Sequence, residues 1–147
     1  MKIMKKLELY TALWRETNMI YEDWAKKHGL SYSELLVILS LAEMKGTCLQ
    51  KDICRQWTLP KQTVNSVLKN LMERSLVSLT SYETDRRSKL IQLTKEGKLY
   101  VDSIAGDLQR AEYSAWTKMG EENTDMLLKT VSLYNSYLKE EVESERK

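Results

Sequence analysis

The chain has 147 residues, 42% apolar and 30% charged, a length that fits one ordinary domain and excludes a large multidomain enzyme. Five Gly and one Pro leave little material for linkers or a turn-rich all-β fold, so a mainly α-helical protein is expected. The formal charge of +2 does not by itself require a polyanionic partner. Its distribution is more telling: Lys51 to Lys98 holds ten basic and five acidic residues, a net +5 that leaves the rest of the chain at −3. An anion-binding surface would lie in that middle segment.

Cys48 and Cys54 are too few for a disulfide framework and, with the single His28, too few for a finger-type zinc site. A reducing cytoplasm is the simplest setting. The basic start, Met1 to Lys6, is followed by Glu8, Arg15 and Glu16 rather than by a signal-peptide apolar core. The longest uncharged run is nine residues, Thr130 to Leu138, short of the roughly 18 needed to span a bilayer. A soluble protein without membrane contact is expected.

In chain order, Ile3, Tyr10, Thr17 and Trp24 interleave with Leu7, Trp14 and Tyr21 in a seven-residue repeat that draws an apolar, aromatic stripe along a first helix. Gly29 ends it. Ser31 and Glu34 have capping-box spacing, and Leu30 and Leu35 stand where a hydrophobic staple packs, so a second helix starts near Ser31. Its run Leu35 to Ala42 is nearly all apolar and predicts a central helix that ends near Lys45 and Gly46.

Two short helices follow, Gln50 to Trp57 and Pro60 to Arg74, with Pro60 in the first turn of the second. Leu76 to Ser81 and Lys89 to Leu93 read as a two-stranded hairpin around the polar segment Tyr82 to Ser88. Thr94 can cap the next helix, along which Val101, Ile104, Leu108, Ala111 and Ala115 form a stripe. A last helix runs from about Glu122 to Glu143, before a charged tail. The order predicts a winged helix-turn-helix lobe at 31–97 within a helical frame at 1–28 and 98–143. Stripes on the first helix, the fifth and the last (Leu127, Val131, Tyr134, Leu138) exceed what one small lobe covers, which predicts a homodimer.

In the helix from Pro60 to Arg74, Val64, Val67, Leu68, Leu71 and Met72 follow helical spacing and define a buried side. Gln62, Ser66 and Lys69 lie opposite, Asn65 flanks them, and Lys61 and Thr63 occupy the first turn. Amides pair with adenine edges and Lys reaches guanine or phosphate, so this face suits a major groove. On the helix alone an ordinary solvated face is the simpler reading. The hairpin tip changes the balance, because Asp85, Arg86 and Arg87 followed by Lys89 put two guanidinium groups on a projecting ribbon. Arg suits a narrow minor groove, and a carboxylate can hold it in position.

Here the sequence resembles the MarR family. The resemblance rests on Ser75-Leu76-Val77, on Asp85-Arg86-Arg87-Ser88-Lys89, and on Leu93-Thr94-Lys95-Glu96-Gly97. It implies a homodimeric, sequence-specific transcriptional regulator of double-stranded DNA that acts on a pseudo-palindromic operator. The terminal helices would form the dimer, Arg87 would enter the minor groove, and Asp85 would orient it. The family usually has Gly at the place of Ser75, and often a basic residue at Ser66 or Ser78. Several members respond to small aromatic ligands, and the matching neighbourhood here is Tyr10, Trp14, Tyr21, Trp24 and Tyr32. An aromatic stripe at helical spacing serves equally as core or dimer interface.

Oxidant-sensing members carry a cysteine in the first helix, and this chain has none there. Cys54 is expected as a buried inert thiol, Cys48 as more accessible, and His28 as an exposed residue at a helix C-terminus. No phosphate-cradling loop, metal-ligand pair or nucleophile with a nearby histidine is evident, so neither an enzyme nor a cofactor is expected. The alternative is a dimeric helical adaptor whose winged helix binds protein instead of DNA; the paired wing arginines and the +5 segment argue against it.

Overall fold

The computed structural model describes residues 1–82 and 85–145, and of residues 81, 82 and 85–88 the backbone alone. Its elements are α1 (Ile3–Lys27), α2 (Tyr32–Glu43), β1 (Thr47–Leu49), α3 (Gln50–Trp57), α4 (Lys61–Glu73), β2 (Val77–Tyr82), β3 (Asp85–Leu93), α5 (Lys95–Met119) and α6 (Glu121–Glu145). This is a mainly helical, winged helix-turn-helix architecture. Two compact units divide within α5, Met1–Ala105 and Gly106–Lys147. No helix among the described residues is long and apolar enough to cross a membrane.

In the first unit α2 is central. Its N-cap is the expected capping box: Ser31 Oγ accepts from the Glu34 amide at 3.1 Å, and Glu34 Oε1 accepts from the Ser31 amide at 3.3 Å. Leu35, Val37, Ile38 and Leu41 are all but inaccessible, and the staple residue Leu30 is buried as well. The one buried polar residue in this helix, Ser40, ties it to α3. Its Oγ donates to Gln56 Oε1 at 2.7 Å and accepts from Trp57 Nε1 at 2.6 Å, so burying the hydroxyl leaves nothing unpaired. The helix stops at Glu43, two residues before the expected end.

The expected two-stranded hairpin is a three-stranded antiparallel sheet in the order β1-β3-β2. Thr47, Cys48 and Leu49 pair with Gln92, Ile91 and Leu90, which makes β3 central and buries Ile91 completely. β3 also starts earlier than expected: the backbone pairs from Asp85 onward, with an irregularity between Ser81 and Tyr82. Two further boundaries move. Pro60 is the N-cap of α4 rather than part of its first turn, and α6 begins at Glu121 and ends at Glu145.

The helix ends explain much of the local sequence. α1 closes in a Schellman turn, with Leu30 N–H donating to Ala25 O and Gly29 N–H to Lys26 O, and Gly29 supplies the positive φ of 75°. α4 closes identically through Leu76 N–H to Leu71 O and Ser75 N–H to Met72 O, but here Ser75 must adopt φ 59°. His28 is exposed at the end of α1, stacked on Trp24 with ring centroids 3.8 Å apart.

α5 starts as expected at Thr94, whose Oγ1 accepts from the Gly97 amide at 3.0 Å and donates to Ser75 O at 2.7 Å. In the second unit α6 buries no described residue, although Met126, Leu127, Leu128, Val131, Tyr134, Tyr137 and Leu138 all lie along it.

Candidate nucleic-acid interface

α4 is sharply two-sided. Val64, Val67, Leu68 and Leu71 are 0 to 8% exposed, packed where α4 meets α2, α3 and β2. Met72, expected among them, is 43% exposed. The helical advance explains the difference: eight residues carry Met72 about 80° round from Val64, to the edge of the buried arc. On the other side Lys61, Gln62, Asn65, Ser66 and Lys69 are exposed and Thr63 is half-buried. The expected polar face is therefore brought together on one outward surface.

No side chain caps the first turn of α4 behind Pro60, which leaves the positive end of the helix dipole beside Lys61. Among the described residues, every ion pair links positions three or four apart on α1, α5 or α6, and none engages Lys61, Lys69 or Lys89. Exposed cations without a carboxylate partner are suited to phosphates. Arg74, in the same basic segment, is committed elsewhere, with its guanidinium 4.7 Å over the Tyr100 ring.

Two side chains of this face have internal partners. Ser66 Oγ donates to Gln62 O at 3.1 Å. Asn65 Oδ1 accepts from Nε2 of Gln50, a residue only 3% exposed at the start of α3. Gln50 is not legible as a site residue in the sequence, because a Gln at a helix start carries no local signal of burial. Beside the same face Ser31, Ser33, Glu34, Thr63, Ser66, Val67 and Asn70 line a polar groove of about 410 Å³.

Lys89 is exposed on β3. The expected wing residues Asp85, Arg86 and Arg87 are placed by backbone only, and their side chains lie outside the described residues. Of the aromatic set, Tyr10 and Trp14 are exposed on α1, while Tyr21, Trp24 and Tyr32 are half-buried. None of the five lines the polar groove. In the second unit a groove of about 460 Å³ lies between Trp116, Leu127, Leu128 and Val131, with Ser132 and Asn135.

Cys54 is half-buried rather than buried. Cys48 is half-buried too, and burial, with a smaller effect from Asp52, raises its thiol pKa from 9.0 to about 11. A thiol so held is a poor nucleophile at neutral pH, and Cys48 is half-buried like Cys54 rather than the more accessible thiol expected.

A helix with one buried and one polar face, preceded by a tightly linked short helix and followed by a β-wing, defines a winged helix-turn-helix DNA-binding module. The comparisons agree. The family model described as MarR family matches residues 28–88. A MarR family regulator from Neisseria meningitidis is 28% identical in solved structure, with TM-score 0.77 and full coverage of both chains. The MepR–DNA complex of Staphylococcus aureus shares the fold at TM-score 0.70 and 20% identity, over 89% of this chain and 96% of that one. An uncharacterized HTH-type transcriptional regulator of S. aureus is 23% identical over 126 residues, 86% of this chain and 85% of that protein. By the match over residues 28–88 and the 28% identical solved regulator, the chain is similar to the winged helix-turn-helix transcriptional regulators of the MarR family.

Proposed function

We propose that the chain acts as a homodimer on a pseudo-palindromic operator, with α4 in the major groove and the β2–β3 wing at the flanking minor groove. The observation that carries this reading is the division of α4: a buried Val64-Val67-Leu68-Leu71 side fixes the helix, and Lys61, Gln62, Thr63, Asn65, Ser66 and Lys69 are left facing outward. Gln62 and Asn65 read base edges, Lys61, Lys69 and Lys89 hold phosphates, and Arg86 and Arg87 serve the minor groove with Asp85 orienting Arg87. The frame at 1–28 and 98–143 joins the two copies, because Leu127, Val131 and Leu138 line one side of α6 and none of them is buried. A small aromatic effector is part of the proposal. A structure of S. aureus MarR, 19% identical with TM-score 0.71, holds salicylate and kanamycin, and Tyr10, Trp14, Tyr21, Trp24 and Tyr32 are the aromatic residues offered to such a ligand here.

Selection of bound fragments from the source genome, followed by footprinting of the best site, tests the reading. The expected result is an inverted repeat with half-sites about one helical turn apart, bound more weakly as salt rises. An asymmetric site overturns the dimeric mode, and absence of DNA binding at low salt favours a protein-binding adaptor.

A further inference from the structure

Asn65 is exposed on the outward face of α4, yet its carbonyl oxygen is turned back to accept from Gln50 Nε2. Gln50 sits at the first position of α3, 3% exposed, and a buried amide is costly unless it is hydrogen-bonded. Its side-chain amide bonds to no other side chain among the described residues. The two short helices of the DNA-binding unit are thus joined by one amide pair that has a direction.

We infer that Gln50 is a positioning residue for sequence recognition, one that fixes Asn65 to present its NH₂ group, so that the contacted base must offer acceptors. The inference rests on the proposed placement of α4 in the major groove. A free asparagine reads adenine bidentately, accepting from N6 and donating to N7. With Oδ1 held by Gln50, that mode is weakened and the donor Nδ2 is what remains to face the groove. Guanine, whose N7 and O6 are both acceptors, then fits best, and cytosine, which offers an N4 donor, fits worst. A residue that touches no base would set the base preference of one that does.

The experiment measures affinity for a panel of operators substituted at every half-site position, for the wild-type dimer and for Asn65→Ala, Gln50→Met and Gln50→Glu. Thermal unfolding accompanies each variant. Asn65→Ala identifies the position read by Asn65. Wild type is expected to favour guanine over cytosine there by roughly 5-fold or more. Gln50→Met, similar in size and unable to donate, should shrink that ratio to within about 2-fold while other positions keep theirs. Gln50→Glu offers only acceptors, should bind Asn65 Nδ2 instead, and should turn Oδ1 outward so that the preference moves toward cytosine or adenine. If Asn65→Ala changes the preference but neither Gln50 variant does, the inference fails and the recognition-helix reading stands. An adenine preference in the wild type at that position also overturns it. If Asn65→Ala changes no position, both fall together. Should Gln50→Met unfold, the direction of change in Gln50→Glu decides.

Discussion

Gly97 lies directly against the Leu76 carbonyl: a Cβ at position 97 would stand 1.8 Å from that oxygen and 2.7 Å from its carbon. The same carbonyl accepts from the Thr94 amide at 3.0 Å and from Thr94 Oγ1 at 3.2 Å. The Leu-Thr-x-x-Gly segment is thus a clamp in which Thr94 caps α5 and Gly97 lets that helix approach the backbone at the start of the wing. Gly97→Ala is expected to cost about 2–4 kcal/mol, since backbone must move on one side or the other. Denaturant unfolding of the purified variant checks this, and a change below about 0.5 kcal/mol would show that the clamp yields freely.

The turn that Gly29 makes with φ 75° is repeated at Ser75 with φ 59°, and Thr58 holds φ 53° after α3. Left-handed backbone costs a residue with Cβ about 1–2 kcal/mol, and a β-branched one is a genuine outlier there. Glycine adds roughly 0.4–1 kcal/mol of unfolded-state entropy in the opposite sense. Ser75→Gly and Thr58→Gly should therefore each stabilise the fold by about 0.5–1 kcal/mol, seen as a higher denaturant midpoint at unchanged slope.

The helices are legible in the sequence because their signals are local. Ser31 and Glu34 announce α2, and the spacing of Val64, Val67, Leu68 and Leu71 fixes the buried side of α4. β1 is not legible: Thr47, Cys48 and Leu49 show no alternation, and only pairing with β3, more than forty residues later in the chain, makes them a strand. The site divides similarly. The outward face of α4 follows from period alone, whereas the Gln50–Asn65 pair joins positions 15 apart through the packing of two helices. Cys54, which the family resemblance implies is buried, stops half-buried.

Exposed Leu127, Val131, Tyr134 and Leu138 occupy one side of α6 and are 38–45% accessible. If a second copy covers them, a carboxylate there is buried without a partner. Val131→Asp and Leu138→Asp should shift the species in sedimentation from dimer toward monomer and lower thermal stability in a concentration-dependent way. A dimer that persists unchanged in both variants would place the interface elsewhere.

Cys48 gives a pH signature. Burial first, and Asp52 second, raise its thiol from 9.0 to about 11, so the folded state keeps a proton that the unfolded state releases in that window. Stability is unaffected by this group below pH 9 and falls as pH rises from 9 toward 11. Cys48→Ala should lose less stability than wild type over the same interval, and alkylation of Cys48 in the folded protein at pH 8 should be much slower than in denaturant. Equal alkylation rates in the two states would contradict the burial.

The lysines and the amides of α4 should separate experimentally. Lys61 and Lys69 are exposed, and none of the described ion pairs includes either, so on DNA each displaces condensed counterions without first breaking an internal bond. Alanine at either should weaken all sequences similarly. Two copies per dimer should flatten the slope of log affinity against log salt by up to about two units per substitution. Gln62→Ala should instead cost roughly 1–3 kcal/mol on the preferred operator, relax one base position in each half-site, and leave affinity for unrelated DNA and the salt slope almost unchanged. Titrations of each variant at several salt concentrations, on the operator and on a scrambled duplex, read both effects at once. If Gln62→Ala weakens both duplexes equally, it is a phosphate contact. If Lys61→Ala alters base preference without changing the slope, the two roles are exchanged at the helix start, where α4 would then enter the groove more steeply.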